Sequence, residues 1–243
     1  MAFDLTPTLM QTLPEYRIRQ SSRARHVNLT IHPADGLVVV VPHGFDERLI
    51  PGLIHKQRAW IEAHLKQFDH LSVDACWQRP THIALPAANE NWAIEYRANQ
   101  STTVRFTTHQ DDVLRATGAI DNEQKLRVAL QRWLKRRAQQ LLPPRLTELA
   151  ERHGFSFTRT TIRLQRSRWG SYSSRGTISL NAKLLFVPVE LVDHVLLHEL
   201  CHSIHPHHGE AFQTLLASLE PNHRQQRAAL REAWATMPAW AHR

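Results

Sequence analysis

The chain has 243 residues, of which 42% are hydrophobic and 21% charged, so it can bury a core without disulfide bonds. Thirty lysines and arginines against 22 acidic residues give a net charge of +8, which suits an anionic partner but specifies no fold. Two cysteines are too few for a disulfide framework, and the apolar runs are far shorter than a membrane span. These features exclude a disulfide-rich secreted scaffold and predict a cytoplasmic protein that does not enter the membrane.

Residues 1–75 are predicted to form a β-rich module with one helix. After about twelve loose residues, polar and apolar residues alternate in YRIRQS and ARHVNLTIHP, and GLVVVVP follows a turn, which is typical of a β-meander. Apolar residues then recur at helical spacing between Asp46 and Lys66. Residues 69–90 lose this periodicity and contain two prolines, which indicates a connection.

Residues 76–121 are predicted to be a connecting segment that contains strands. The sequences WAIEYRA, TTVRFTT and DVLRATG have strand character and are separated by polar turns. A long amphipathic segment then runs from Asn122 to about His153. We expect Pro143 and Pro144 to kink or split that helix, because proline cannot donate the helical hydrogen bond.

Residues 122–243 are predicted to form the main core. Beyond the long helix, TRTTIRLQ and GTISLNAKLLFVP are strand-like, and a mostly apolar helix is expected to begin just after Pro188. A last helical stretch covers about 209–235, with Pro221 as a candidate interruption within it. Strands and helices in this order predict the α+β class, with a mixed sheet that covers the helix after Pro188.

That helix contains His198-Glu199-Leu200-Cys201-His202, which fits the pattern H-E-x-x-H. Residues four apart lie one turn above each other on one helix face, so both imidazoles can bind one Zn²⁺. Glu199 then lies beside the ion, where it can take a proton from a zinc-bound water whose pKa is lowered towards neutrality. The pattern therefore predicts metal-assisted hydrolysis with Glu199 as the catalytic base.

A solvated helix face is the alternative interpretation of the same pattern. The surrounding residues leave only a narrow polar face, on which a glutamate and histidines would be buried without partners; they are Val195, Leu196, Leu197, Leu200, Cys201 and Ile204. A metal ion would supply those partners.

A third protein ligand is required, and three histidines follow within a few residues. Pro206 and Gly209 are expected to turn the chain back towards the metal. His208 is favoured, because it lies six residues past His202, the offset of the third histidine in the metzincin signature. His205 and His207 are its competitors, and a more distant carboxylate such as Glu220 is another alternative. His194 lies too far along the axis to share the ion and is expected at the rim of the site.

Two blocks of the chain resemble the YgjP-like metallopeptidases, which are relatives of the WLM and SprT-type zincins. RWGSYSS at 168–174, GTISLN at 176–181 and then Pro188 look like one family block. The H-E-L-C-H run with His208 and Phe212 looks like the other. The chain departs from the family pattern at four positions, and none of these departures removes a predicted ligand or the base: Tyr172, His207, Gly209 and Gln213.

The resemblance implies a zincin-like core, a Zn²⁺ cofactor and a peptide or protein substrate. It also implies that the substrate lies extended beside an edge strand, near the candidate substrate-binding residues Trp169, Gly170, Ser171 and Asn181. A purely structural role is the alternative for Trp169 and Asn181, with the asparagine bonded to backbone. The sequence does not specify an oligomeric state.

Two rival functions stay open at this stage. Some members of the family are described as nucleoside-triphosphate pyrophosphatases, but the chain has no G-x-x-x-x-G-K-[ST] loop. The other rival function is that of a nucleic-acid-associated module, in which the zinc is structural and arginines hold phosphate. The arginines considered for that role are Arg132, Arg136, Arg137, Arg145, Arg159, Arg163, Arg166 and Arg168.

Overall fold

The structure is a computed structural model that describes residues 13–22, 24–32, 36–68, 79–109 and 112–242. The chain divides into two compact units, Met1–Ala75 and Cys76–Arg243. The loose N-terminal dozen that we predict, and residues 69–78 of the predicted connection, lie outside the described residues. None of the helices in the described ranges is long and apolar enough to cross a membrane.

The first unit contains one mixed sheet and two helices, which are β1 (Tyr16–Gln20), β2 (Asn28–His32), β3 (Gly36–Val41), α1 (Ile50–Lys56) and α2 (Arg58–Phe68). The strands were predicted, but the meander is wrong, because β3 lies between the other two and pairs parallel with β1. The apolar β3 takes the central place because Leu37, Val39 and Val41 are fully buried there. The single predicted helix is interrupted at Gln57.

The second unit begins with a four-stranded sheet in the order β4-β5-β7-β6, whose strands are β4 (His82–Leu85), β5 (Glu90–Ala98), β6 (Val104–Thr108) and β7 (Val113–Gly118). The last three are the strands that the sequence predicted, whereas β4 lies inside the predicted connection. The buried side chains of this sheet belong to the same hydrophobic core as the helices that follow. A separate connecting domain over 76–121 stays a prediction.

The helix α3 (Glu123–His153) follows this sheet and is continuous, with Pro143 and Pro144 inside it. The expectation that the prolines split the helix is wrong, and a kink at the prolines stays a prediction. Buried residues from Leu126 to Ala150 pack along its length, and this burial outweighs the helical hydrogen bonds lost at the prolines. Asn122 caps its first turn, and Gly154 ends it with a positive φ of 71°.

The last part of the second unit carries a three-stranded sheet and three helices: β8 (Arg159–Arg163), β9 (Gly170–Tyr172), β10 (Thr177–Asn181), α4 (Val189–Cys201), α5 (Glu210–Leu219) and α6 (His223–Ala233). The sheet order is β8-β10-β9, so β9 is an edge strand, and it packs against α4. The sequence predicted α4 to begin after Pro188, as it does, but did not predict β9. Mixed sheets together with six α-helices in the described residues confirm the α+β class.

Candidate metal centre

The ring nitrogens of His198, His202 and His208 converge in the second unit. One nitrogen from each ring lies within 4.8 Å of the other two, and the Nε2 atoms of His198 and His208 face each other at 3.0 Å. The first two side chains come from consecutive turns at the end of α4, and the third comes from the loop before α5. Among the described residues, no further histidine, cysteine or carboxylate joins this group.

The surroundings of His198 and His202 prepare these rings to bind a cation. Burial, reinforced by the neighbouring histidines, lowers the pKa of His198 to about 3, so this ring is neutral near pH 7. Nδ1 of His202 donates to the carbonyl oxygen of His205 at 3.1 Å, so Nε2 is the ring nitrogen that this bond leaves for an ion. His205 therefore contacts the centre through its backbone, and neither its ring nor that of His207 belongs to the convergent group.

Phe212 forms the floor beneath the three histidines. It is fully buried on α5, and its ring centroid lies 5.0 Å from that of His198 and 4.8 Å from those of His202 and His208. A rigid apolar ring in contact with all three imidazoles limits their rotation. The side chain therefore fixes the spacing of the nitrogens without offering a ligand itself.

Glu199 lies between the two helical histidines and is only 5% exposed. Burial raises the pKa of its carboxyl to about 7, against the lowering effects of a hydrogen bond from the backbone of Tyr172 and of the nearby charge of Arg168. Within the described part of the chain, its buried Oε2 has no hydrogen-bond partner. A buried carboxylate oxygen without a partner is costly in a folded protein, which indicates a missing ligand at this position.

The centre opens into a cleft of about 720 Å³, which is lined by residues of α4, α5, α6 and the segment around β9. Two of the four predicted substrate-binding residues, Trp169 and Gly170, line this cleft. Ser171 and Asn181 are not among the residues that line it. Asn181 is fully buried and donates from Nδ2 to the carbonyl oxygens of Gln165 and Arg168, at 3.0 and 2.7 Å.

His194 lies one turn before His198 on α4, and it also lines the cleft. Its Nδ1 bonds to the carboxylate of Glu220, and both side chains are buried. Glu220, which the sequence offered as an alternative ligand, is outside the convergent group. The carboxylate thus orients a buried histidine 6.3 Å, centroid to centroid, from His198.

The family comparison covers most of the second unit and much of the first. The model of the YgjP-like family, metallopeptidase domain, matches residues 25–233. The chain belongs to the YgjP-like metallopeptidase family. No curated protein and no solved structure matches it.

Membership of the YgjP-like family implies a metal cofactor, and the residues present fit Zn²⁺. Three imidazoles are suitable donors for this ion, and ligands on one tetrahedral zinc with bonds of about 2.1 Å lie about 3.4 Å apart. The 3.0 Å separation of the His198 and His208 nitrogens is close to that spacing. Oε2 of Glu199, which is buried and has no partner among the described residues, adds an open hydrogen-bond acceptor to this site.

One wall of the cleft in this YgjP-like protein was not predicted from the sequence. It consists of Arg224, Arg227 and Arg231 of α6, together with Trp234 just beyond that helix. Trp234 packs on Trp169 with ring centroids 4.3 Å apart. The arginines are spaced three and four residues apart, which indicates that they share one helix face. The sequence does not indicate which part of the protein lies opposite that face.

Proposed function

We propose that this YgjP-like protein is a zinc-dependent metallopeptidase with a zincin-like core, in which His198, His202 and His208 hold the ion. The observation that carries the proposal is the convergence of three imidazole nitrogens within 4.8 Å, with no fourth ligand among the described residues. Structural zinc sites have four protein ligands, whereas catalytic sites keep one position open. The arrangement therefore supports a catalytic zinc in a hydrolase, and it does not support a structural zinc in a nucleic-acid-binding module.

Glu199 is the general base in this proposal. When bound, zinc polarises a carbonyl and lowers the pKa of a water molecule to about 7. Oε2 of Glu199, which has no partner among the described residues, accepts the proton as that water attacks the peptide carbonyl. The same carboxyl can then donate the proton to the departing amine.

The edge strand β9 is the proposed binding site for an extended peptide. On the side that faces β10, the carbonyl oxygen of Trp169 accepts from the N–H of Asn181. On the same side, the N–H of Ser173 donates to the carbonyl oxygen of Thr177. Backbone polar groups alternate along a strand, so those of Gly170 face away from β10. A substrate strand that pairs there would pass directly over Glu199. Trp169 and Gly170 contact substrate in this arrangement, while Asn181 supports the loop that precedes β9.

The decisive experiment replaces Glu199 with glutamine in the zinc-loaded protein. Glu199→Gln keeps the volume of the side chain but removes the proton acceptor, so peptide hydrolysis should fall by about 10²–10⁴-fold while bound zinc is unchanged. Glu190→Gln is the matched control, because Glu190 is an exposed glutamate in the first turn of the same helix. Activity is measured by mass spectrometry on unfolded proteins, and zinc by elemental analysis.

Full activity in Glu199→Gln would contradict the proposed base. A zinc ion held by four protein side chains would contradict the catalytic role of the metal, and nucleotide hydrolysis without peptide hydrolysis would contradict the substrate class.

A further inference from the structure

The wall of the cleft opposite the candidate metal centre is cationic. Arg224, Arg227 and Arg231 lie on one face of α6 and line the cleft together with Arg168, which precedes β9. All four side chains are exposed. Among the described residues that line the cleft, Glu199 is the one carboxylate, so the four positive charges have no acidic partners there.

Among the described residues, these four arginines lack the ion pairs that Arg137 and Arg145 form in the same unit. Arg137 is paired with Glu90, and Arg145 binds Asp193 through two nitrogens. Within the described ranges, no ion pair or side-chain hydrogen bond is found for the four arginines of the cleft. Unpaired guanidinium groups that converge on one cleft are available to bind an anionic ligand.

The arginines and the candidate metal centre share this cleft. His198, Glu199 and His208 line it together with Arg168 and Arg227. A ligand that lies between α6 and α4 would therefore contact the arginines and the candidate metal centre together.

We propose that the arginines of α6 and Arg168 select peptides that carry acidic side chains beside the bond to be cleaved. This inference rests on the proposed peptidase function and adds a substrate class to it. Each guanidinium can form two parallel hydrogen bonds to one carboxylate, which gives direction as well as charge attraction. Edge strand β9 would hold the peptide backbone, and the arginines would bind its side chains.

The shape of the cleft favours a peptide over a nucleic acid. Its volume of about 720 Å³ is that of a site for a small ligand or a short chain segment. Apolar residues lie beside the arginines, namely Trp169, Val195, Phe212, Leu216, Leu230 and Trp234. A mixture of apolar surface and guanidinium groups fits a peptide segment with both apolar and acidic side chains.

Paired peptides test the proposal. Each pair has the same sequence except that glutamates next to the cleavage point are replaced by glutamines, and kcat/KM is measured with the zinc-loaded protein. The acidic member should be cleaved about tenfold faster or more, the effect of one charge-assisted hydrogen bond. The ratio should fall as salt is raised, because exposed charges are screened.

Variants assign the preference to the arginines. Arg227→Gln and the double variant R224Q/R231Q should each lower the ratio of acidic to neutral kcat/KM towards one. Arg175→Gln is the matched control, since Arg175 is exposed between β9 and β10 and is not among the residues that line the cleft. Binding of fluorescent acidic and neutral peptides to Glu199→Gln, followed by anisotropy, gives a measurement that does not require turnover.

The outcomes separate the two proposals. Equal cleavage of acidic and neutral peptides, still abolished by Glu199→Gln, would overturn the acidic preference and leave the peptidase function standing. An acidic preference that survives all the cleft variants would overturn the role of the arginines. Cleavage of no peptide, together with tight binding of single-stranded nucleic acid or nucleoside triphosphate, would overturn both proposals.

Discussion

Gly170 approaches Glu199 so closely that a Cβ atom placed on it would lie 2.6 Å from Oε1 of the carboxylate and 2.8 Å from Cγ. Contacts this short do not occur, so any larger residue at 170 requires Glu199 or β9 to move. The edge strand and the candidate base are therefore in direct contact. The glycine is needed for its lack of a side chain, since its φ is not in the left-handed region.

Gly170→Ala should consequently reduce activity while the metal stays bound. Displacement of Glu199 by about 1 Å would cost about 10²-fold in kcat, because the base would no longer be aligned with the attacking water. The measurements are peptide hydrolysis and zinc content on the same sample.

Gly52→Ala is a control for the glycine substitution itself. Gly52 lies within α1, and a Cβ there meets nothing within 4 Å. Alanine should stabilise that helix by up to about 1 kcal/mol without a change in activity. An active Gly170→Ala protein would show that β9 does not constrain Glu199.

The third candidate ligand can be tested by paired histidine substitutions. His208→Ala should lose most of its zinc on dialysis, because the ring nitrogen that faces His198 at 3.0 Å is removed. His207→Ala should keep about one zinc per chain, since His207 is exposed and outside the convergent group. Elemental analysis of both proteins decides the matter, and zinc loss in His207→Ala alone would assign the ligand to His207.

The buried pair of His194 and Glu220 should contribute to stability. Glu220→Ala leaves Nδ1 of His194 buried without its partner, so the free energy of unfolding should fall by about 2–3 kcal/mol. The double variant H194F/E220L removes both polar groups and should recover much of that loss. Urea unfolding measures both changes.

Glu151→Gln is the control for this pair, because Glu151 is exposed on α3, and its effect should stay within about 0.5 kcal/mol. Unchanged stability in Glu220→Ala would mean that the pair does not stabilise the fold.

Lys183 predicts a dependence of stability on alkaline pH. This side chain is only 1% exposed. Its Nζ atom lies 3.2 Å from Nδ1 of His242 and 4.8 Å from the ring centroid of Trp234. Burial, with a smaller effect of Arg166, lowers the pKa of Lys183 from 10.5 to about 8. The unfolded chain then binds more protons than the folded protein between these two values, so the free energy of unfolding rises with pH in that window.

At about 1.4 kcal/mol per pKa unit, the rise amounts to about 3 kcal/mol. Lys183→Met should lack this increment and should be at least as stable as the native protein at pH 7. Urea unfolding of both proteins from pH 7 to 10 tests it, and a constant difference between them across that range would contradict the role of Lys183.

The sequence by itself determined the features that depend on neighbours along the chain. Helix α4 begins after Pro188 and carries the H-E-x-x-H residues, because apolar periodicity and a proline at the start of a helix are local signals. The strands at 90–98, 104–108 and 113–118 were recognisable for the same reason. The two motif blocks also indicated the family that the comparison then showed.

Only the tertiary structure decided the features that depend on contacts between distant residues. Residues 170–172 form the strand β9 because they pair with β10. Helix α3 continues through Pro143 because its apolar face is buried along its whole length. The ring of His208 was one of three neighbouring candidates until the loop brought it to His198 and His202. Arg227 likewise lies on a helix face whose period is visible in the sequence, but packing of α6 against α4 places it in the cleft. Periodicity shows which side chains share a face, whereas the partner of that face depends on burial summed over the whole core.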